Sequence, residues 1–441
     1  MTSAIVSKRL SEVDYAKNFS DLHPPLSAHE ALVESDRCYF CYDAPCMKAC
    51  PTSIDIPLFI REIQAGHPKS AAKTIFDQNI MGGMCARVCP TETLCEEACV
   101  RELAEGKPVK IGLLQRYATD LAMADKHPFT RADASGKKVA VVGAGPAGIS
   151  CAHRLSMHGH DVTLFDARKK SGGLNEYGIA TYKAVDNFAQ KEVDFILSIG
   201  GITTMHNQEL GKSLKLEDLQ RDYDAVFLGL GLSGVNDLGL KHEGAEGVLN
   251  AVDYISELRQ AKDKSKLPVG RNVLVIGGGM TAIDIAVQSK LLGAENVTIL
   301  YRRGAEHMKA SAFEQDLAQT KGVKIMHWVA PTKILLKAKK VSGIRCEYMA
   351  LDGKKLEGTG ETFELAADVI FKAIGQTYST KLGSAIAMEQ GRIKVDDEKR
   401  TSVSGIWAGG DCVAGGKDLT VASVDDGRRA ALSINQYLKG K

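Results

Sequence analysis

The 441-residue sequence has no apolar run of the roughly 18 residues that a membrane helix needs. Met1 to Leu10 lacks the apolar core of a secretory signal, so the chain is expected to stay in the cytoplasm. Neither sign of charge is in excess: 56 Lys and Arg stand against 54 Asp and Glu, a net +2. There is no basic field for nucleic acid and no acidic tail, so neither nucleic acid nor membrane is an expected partner. No low-complexity segment occurs. Beyond residue 99, cysteine is scarce: only Cys151, Cys346 and Cys412 remain. No C-x-x-C or C-x4-C pair follows Gly143, which excludes the active disulfide of a disulfide reductase. These three thiols read as small buried hydrophobes. What is present is ordinary for a globular chain of about three domains. Glycine is the exception, at 43 residues, and points to tight turns around ligands.

The other eight of the 11 cysteines crowd between Cys38 and Cys99. Their spacing is Cys38-x2-Cys41-x4-Cys46-x3-Cys50-Pro51, then Cys85-x3-Cys89-Pro90, then Cys95-x3-Cys99. A cytoplasmic chain of this size needs no disulfide framework, so clustered thiols read first as metal ligands. Short spacings and Cys-Pro steps suit iron–sulfur cubanes, which take four soft ligands each. Zinc and inert packing are the competing readings. Zinc prefers paired C-x2-C knuckles, often with histidine, and here one C-x2-C and one intervening histidine, His67, occur. Eight thiols could serve two clusters as eight ligands. Helical periodicity at Pro57–Ala65, Ser70–Asn79 and Ile111–Ala124 predicts a small all-α domain around the metal.

After the polar linker Arg131–Lys138, the strand Lys138–Val142 leads into Gly143-Ala144-Gly145-Pro146-Ala147-Gly148, a helix to His158, and a strand ending at Asp166. That strand–turn–helix–strand context makes G-x-G-x-x-G a strong dinucleotide signal. Gly143 permits the turn, Gly145 lets a pyrophosphate approach and Gly148 lets helix and strand pack closely. Asp166 can accept hydrogen bonds from a ribose. The pattern recurs at Asn272–Ile276, Gly277-Gly278-Gly279-Met280-Thr281-Ala282 and the strand Asn296–Leu300. No acid ends that second strand; Arg302 and Arg303 stand there instead, and guanidinium groups suit a 2′-phosphate, favouring NADPH over NADH. Gly405 to Asp411 reads as a short strand ending in Gly409-Gly410-Asp411, with a helix from about Thr420 to Tyr437. This matches the second FAD fingerprint of two-dinucleotide flavoenzymes, the helix aiming its positive end at the flavin. Gly173 and Leu174 are assigned to the same FAD site.

On these motifs the chain resembles the NAD(P)H-oxidising subunits of dihydropyrimidine dehydrogenase. The resemblance is carried by Cys38 to Pro57, Cys85-Ala-Arg-Val-Cys89-Pro-Thr and Ile111-Gly-Leu-Leu-Gln115-Arg. The small subunit of glutamate synthase shares the cysteine skeleton and both turns. The resemblance implies an α/β fold with an N-terminal all-α iron–sulfur domain (1–135). An FAD domain (136–235 and 370–441) and an inserted NAD(P)H domain (236–369) would follow, with crossing strands near Val226–Gly231 and Val369–Gly375. It implies two [4Fe-4S] clusters, one on Cys38, Cys41, Cys46 and Cys99, the other on Cys50, Cys89, Cys95 and Gln115, leaving Cys85 aside. Hydride would pass from NADPH (or NADH) to FAD with no acid–base residue. Electrons would leave through the clusters to an FMN-containing, iron–sulfur catalytic subunit of the PreA type, which reduces uracil or thymine. No segment of this chain is large enough to hold FMN and a pyrimidine as well. A glutamate synthase small subunit is the alternative, and a non-enzymatic cluster scaffold a more distant one.

Overall fold

The structure is a computed structural model, and it describes residues 4–353, 355–380 and 386–440. The chain divides into two compact units: residues 1–22, 177–185 and 234–377 in one, and 23–176, 186–233 and 378–441 in the other.

The second of these begins with helices. Asp55 accepts from the Leu58 N–H and starts the helix Ile56–Gln64, which buries Ile56, Phe59, Ile60 and Ile63 on one stripe. The helices Pro68–Gln78 and Ile111–Met123 bury Ile75, Phe76, Leu114 and Ala118 against it. A parallel sheet follows in the order Ile406–Ala408, Ala225–Leu228, Lys138–Val142, Asp161–Asp166, Ile202–His206. The helices and this sheet share one hydrophobic core, and Phe76 meets Phe195 with ring centroids 5.3 Å apart. Packing therefore draws no unit boundary near residue 135. The helix Thr420–Lys439 closes the sheet against the helix Pro146–Met157: a Cβ on Gly427 would lie 2.0 Å from the Ala147 carbonyl oxygen, so only glycine permits this approach.

In the other unit a second parallel sheet runs Val248–Asn250, Val369–Lys372, Asn272–Ile276, Asn296–Tyr301, Lys324–His327. A three-stranded antiparallel sheet (Val329–Lys337, Lys340–Asp352, Lys355–Ala366) extends from it, an element the sequence reading lacked. Residues 4–22, expected with the iron–sulfur helices, belong to this unit instead. Val6 bridges to Val269, Tyr15 and Phe19 are buried in its core, and Asn18 donates to the Leu291 carbonyl at 3.0 Å. That bond occupies a carbonyl left orphaned at the end of the helix Met280–Leu291.

The crossing strands also differ from expectation. Val226 lies inside the first sheet, and Val369–Lys372 lies between two strands of the second. The pair Gly234–Val235 and Gln376–Thr377 joins antiparallel instead, a few residues later on each side. The run 369–371 is apolar and buried because it belongs to an interior strand; the two-residue crossing strands carry no hydrophobic period to betray them. Among the described residues no helix is long and apolar enough to cross a membrane.

Candidate functional site

Parallel register sets the first nucleotide site. Ala408 pairs with Leu228, Leu228 with Val142, and Val142 with Phe165. The Gly143 turn, Asp166 and Gly409–Asp411 thus emerge along one edge, the carboxyl ends of the strands, where such sheets bind ligands. Gly143 has φ +101, and a Cβ there would lie 2.2 Å from the Gly229 carbonyl oxygen. Gly145 caps the helix with extended backbone and no side-chain cap, leaving first-turn N–H groups free; Pro146 opens the helix. Ala144 and Ala147 are buried beneath the turn. A Cβ on Gly148 would sit 1.8 Å from the Gly143 oxygen, whereas one on Gly145 would meet only the Gly173 Cα at 3.7 Å. The last glycine is filled by the fold; the middle one faces open space that a phosphate can enter.

Asp166 accepts from the Ala144 and Arg168 N–H groups, each at 2.7 Å. Burial raises its carboxyl above the usual range, and these two donors oppose the rise. Gly410 has φ +81, and its N–H donates to Asp426 at 2.9 Å. Desolvation, with Asp418 nearby, pushes Asp411 up to about 7. The helix Thr420–Lys439 has no side-chain cap, so its positive end is available. Leu174 is partly exposed beside Gly173. The sequence reading missed the neighbouring Asn175, fully buried, which accepts from the Thr420 hydroxyl at 2.8 Å.

The second site repeats the plan. Lys372, Ile276 and Leu300 share a register row, and the Gly277 turn and Arg302 follow it. A Cβ on Gly277 would lie 2.2 Å from the Ala373 oxygen; one on Gly279 would meet nothing within 4 Å. Met280 and Thr281 form the first turn of the helix, and Ala282 is buried under it. Arg302 and Arg303 are exposed at the end of their strand. A loop unseen in the sequence covers the turn: the Lys309 and Ala310 N–H groups donate to the Gly278 carbonyl at 2.9 and 3.1 Å. The Tyr301 ring lies so close to Gly278 that a Cβ there would come within 2.5 Å of it. A cleft bordered by Glu243, Asn250, Asp253 and Lys372 opens at the carboxyl ends of Val248–Asn250 and Val369–Lys372.

All eight N-terminal cysteines are free thiols. Cys38, Cys41, Cys46 and Cys99 ring a small cavity whose wall includes Ile56, Ile60, Val109 and Ile111, with Tyr39 and Arg101 also lining it. Burial, then the charges of Cys38 and Cys99, pushes Cys46 up to about 12. Thiols gathered on one largely apolar cavity repel as thiolates even with Arg101 on its wall, and a cationic iron core would relieve that repulsion. Among the described residues no three His, Cys, Asp or Glu side chains converge tightly enough for a single ion. A ring of four soft thiol ligands is the donor set that an iron–sulfur cubane takes.

Cys50, Cys89 and Cys95 form a second neighbourhood. The Cys89 thiol is raised by its hydrogen bond to Cys85, then by burial and by the charges of Cys85, Cys95 and Cys50. Cys85, which the resemblance set aside, is therefore a buried member of the same group. Gln115, 7% exposed, donates from Nε2 to the Gly82 carbonyl at 2.7 Å, which pins its amide to the helix Gly82–Val88 that carries Cys85. The start of that helix is capped by Glu192, which accepts from the Met84 N–H at 2.9 Å and is fully buried. Burial pushes Glu192 up to about 8, against the pull of the Met84 N–H and Arg87. Nothing in the sequence marked Glu192. Cys151, Cys346 and Cys412 are each fully buried, in three different hydrophobic clusters.

Two glycine-turn nucleotide folds, one inserted in the other and preceded by a thiol-rich helical domain, define an iron–sulfur flavin oxidoreductase that uses a nicotinamide dinucleotide. Residues 15–127 match the family described as dihydropyrimidine dehydrogenase domain II, 4Fe-4S cluster, and residues 137–427 match pyridine nucleotide-disulphide oxidoreductase. The NAD-dependent dihydropyrimidine dehydrogenase subunit PreT of Escherichia coli is 34% identical over 430 residues, covering 96% of this chain and 98% of that protein. The glutamate synthase [NADPH] small chain of Escherichia coli is 33% identical, covering 96% and 94%. Mycobacterium tuberculosis FprA in complex with NADPH shares the fold at TM-score 0.58 and 18% identity, over 69% of this chain and 85% of that one. The chain belongs to the pyridine nucleotide-disulphide oxidoreductase family, in the group with an N-terminal 4Fe-4S domain that holds the PreT subunits and the glutamate synthase small chains.

Proposed function

We propose that this chain is the electron-inlet subunit of a dihydropyrimidine dehydrogenase, oxidising NAD(P)H and supplying an FMN-containing, PreA-type partner that reduces uracil or thymine to the 5,6-dihydro form. Most support comes from the match to a PreT subunit along nearly its whole length, by a chain in which both open-faced glycine turns and the thiol-ringed cavity occur together. Bound FAD would supply the conversion of one hydride into two single electrons, and two [4Fe-4S] clusters their relay.

The chain's own residues bind and orient. Free N–H groups after Gly145 and Gly279 would hold the two pyrophosphates. Asp166 would take the FAD ribose, and Asp411 the ribityl or pyrophosphate part. Cys38, Cys41, Cys46 and Cys99 would hold one cluster; Cys50, Cys89, Cys95 and Gln115 the other. Hydride transfer needs proximity and orientation rather than a proton-carrying side chain, so no acid–base residue is assigned. Arg302 and Arg303 favour NADPH; the name of the PreT relatives favours NADH.

The test is affinity capture of the tagged chain from its native host, with NADPH and uracil then supplied. A co-eluting FMN protein and uracil-dependent NADPH oxidation are expected. Activity only with glutamine and 2-oxoglutarate, beside a large amidotransferase, would overturn the pyrimidine reading in favour of the glutamate synthase one.

A further inference from the structure

We propose that Lys183 is a positioning residue for the nicotinamide dinucleotide, cancelling carboxylate charge beneath the pyrophosphate-binding turn. The proposal rests on the NAD(P)H reading above. The segment 177–185 is flanked on both sides by chain of the FAD-type unit, yet it packs in the NAD(P)-type unit. Its backbone is held by side chains of two helices. Arg259 donates to the Ile179 carbonyl at 3.1 Å, the Ala180 N–H donates to Asp284 at 3.3 Å, and the Thr181 N–H and hydroxyl donate to Gln288 at 2.9 and 3.0 Å. Lys183 Nζ then stands 2.7 Å from both Asp284 Oδ1 and Glu314 Oε1, with the side chains of all three residues about nine-tenths buried or more.

Asp284 is the fifth residue of the helix Met280–Leu291, whose first turn follows Gly279. At 1.5 Å per residue it lies roughly 6 Å along the axis from Met280. That first turn has no side-chain cap, and its N–H groups are what an anion would bind. A buried, uncompensated carboxylate just below would oppose the helix dipole at the very place where a phosphate must sit. The Lys183 ammonium, one positive charge against two carboxylates, halves the negative charge held there and so weakens that opposition. A negative charge held in a low-dielectric interior acts over such distances with little screening.

The measurement is calorimetric titration of the flavin- and cluster-loaded chain with NADP⁺ and with NAD⁺, beside FAD and iron content. Lys183→Met is expected to weaken dinucleotide binding roughly tenfold with FAD content unchanged. Lys183→Arg keeps the charge and should stay close to the native affinity. Adding Asp284→Asn to Lys183→Met should restore most of the loss. Native affinity in Lys183→Met, or no recovery in the double variant, would overturn the proposal. If Lys183→Met alone does not accumulate as folded protein, two double variants decide. Lys183→Met with Glu314→Gln leaves Asp284 charged under the turn and should bind weakly; Lys183→Met with Asp284→Asn should bind well. Equal affinity of the two sinks the idea. A native chain that binds neither dinucleotide would instead remove the nicotinamide reading, and this proposal with it.

Discussion

Gly145 and Gly148 are three residues apart and should fail for opposite reasons when replaced by alanine. A Cβ on Gly148 would stand 1.8 Å from the Gly143 carbonyl oxygen, where real Cβ atoms essentially never come within 3.0 Å. The helix Pro146–Met157 would have to retreat by more than an ångström from the turn. Overpacking of this kind costs about 1–3 kcal/mol. At roughly 2–4 °C per kcal/mol for a large domain, Gly148→Ala should melt about 2–12 °C below the native chain, with or without FAD. Gly145 has φ −83 and ψ −175, a conformation open to any residue, and its Cβ would meet only Gly173 at 3.7 Å. Flavin-free Gly145→Ala should therefore melt no lower than the native chain, and gain up to about 1 kcal/mol through its stiffer unfolded state. Its methyl group fills the space above the turn, so FAD affinity should fall about tenfold to a hundredfold, a loss of about 1.4–2.8 kcal/mol. Flavin absorbance per chain, reconstitution with FAD, and thermal melts of the flavin-free forms separate the two. Native FAD affinity in Gly145→Ala would refute the assignment of that space to a pyrophosphate. Equal loss of flavin-free stability in both variants would refute the geometric distinction.

Three further outcomes follow from the same geometry. Replacing Arg302 and Arg303 by alanine should raise the KM for NADPH selectively, and an unchanged NADPH/NADH ratio would dismiss them as selectors. Gln115→Ala should damage one of the two clusters, seen as lost iron and an altered EPR spectrum; full iron and the native spectrum would remove Gln115 from the ligand set. Glu192 has an ordinary value of 4.5 and is pushed up to about 8 in the fold. Between those values the folded chain holds a proton that the unfolded chain gives up, so the stability contributed by this group falls as pH rises through that window. Urea midpoints of the native chain should decline across it more steeply than those of Glu192→Gln, and parallel curves would show that Glu192 does not titrate there.

Both glycine turns, the strands beside them and the three helices around the cysteines were legible because each announces itself locally, through a period or a fixed offset. The final helix was legible for the same reason, ending at Lys439 rather than Tyr437. What escaped depends on partners far along the chain. Glu192 is one charge in an amphipathic helix until it meets Met84, and Lys183 is an ordinary lysine until Asp284 and Glu314 close on it. The short helix Glu12–Asn18 was not among the helices read from the sequence, and its place in the NAD(P)-type unit rests on partners hundreds of residues away. Gln115 entered through resemblance alone, since a glutamine on a helix carries no spacing signal; its bond to Gly82 now gives its amide a fixed place.

The insertion also sets a timetable. The strand Ala225–Leu228 has all four residues buried, and one of its two neighbours, Ile406–Ala408, is made only after the whole inserted unit. On a ribosome adding about 5–20 residues per second, the chain between residues 228 and 406 takes roughly 9–36 s to emerge. For that time the sheet has an open apolar edge, and the face of Pro146–Met157 that receives Thr420–Lys439 is bare. The inserted sheet has all its strands in hand by Lys372 and can close first. A chain released early would therefore carry a finished NAD(P)-type sheet and an unfinished FAD-type one, with a sticky seam that marks it for chaperones or proteolysis. The last 36 residues act in this sense as a seal on the molecule: until they arrive, the first sheet lacks both its edge strand and its closing helix.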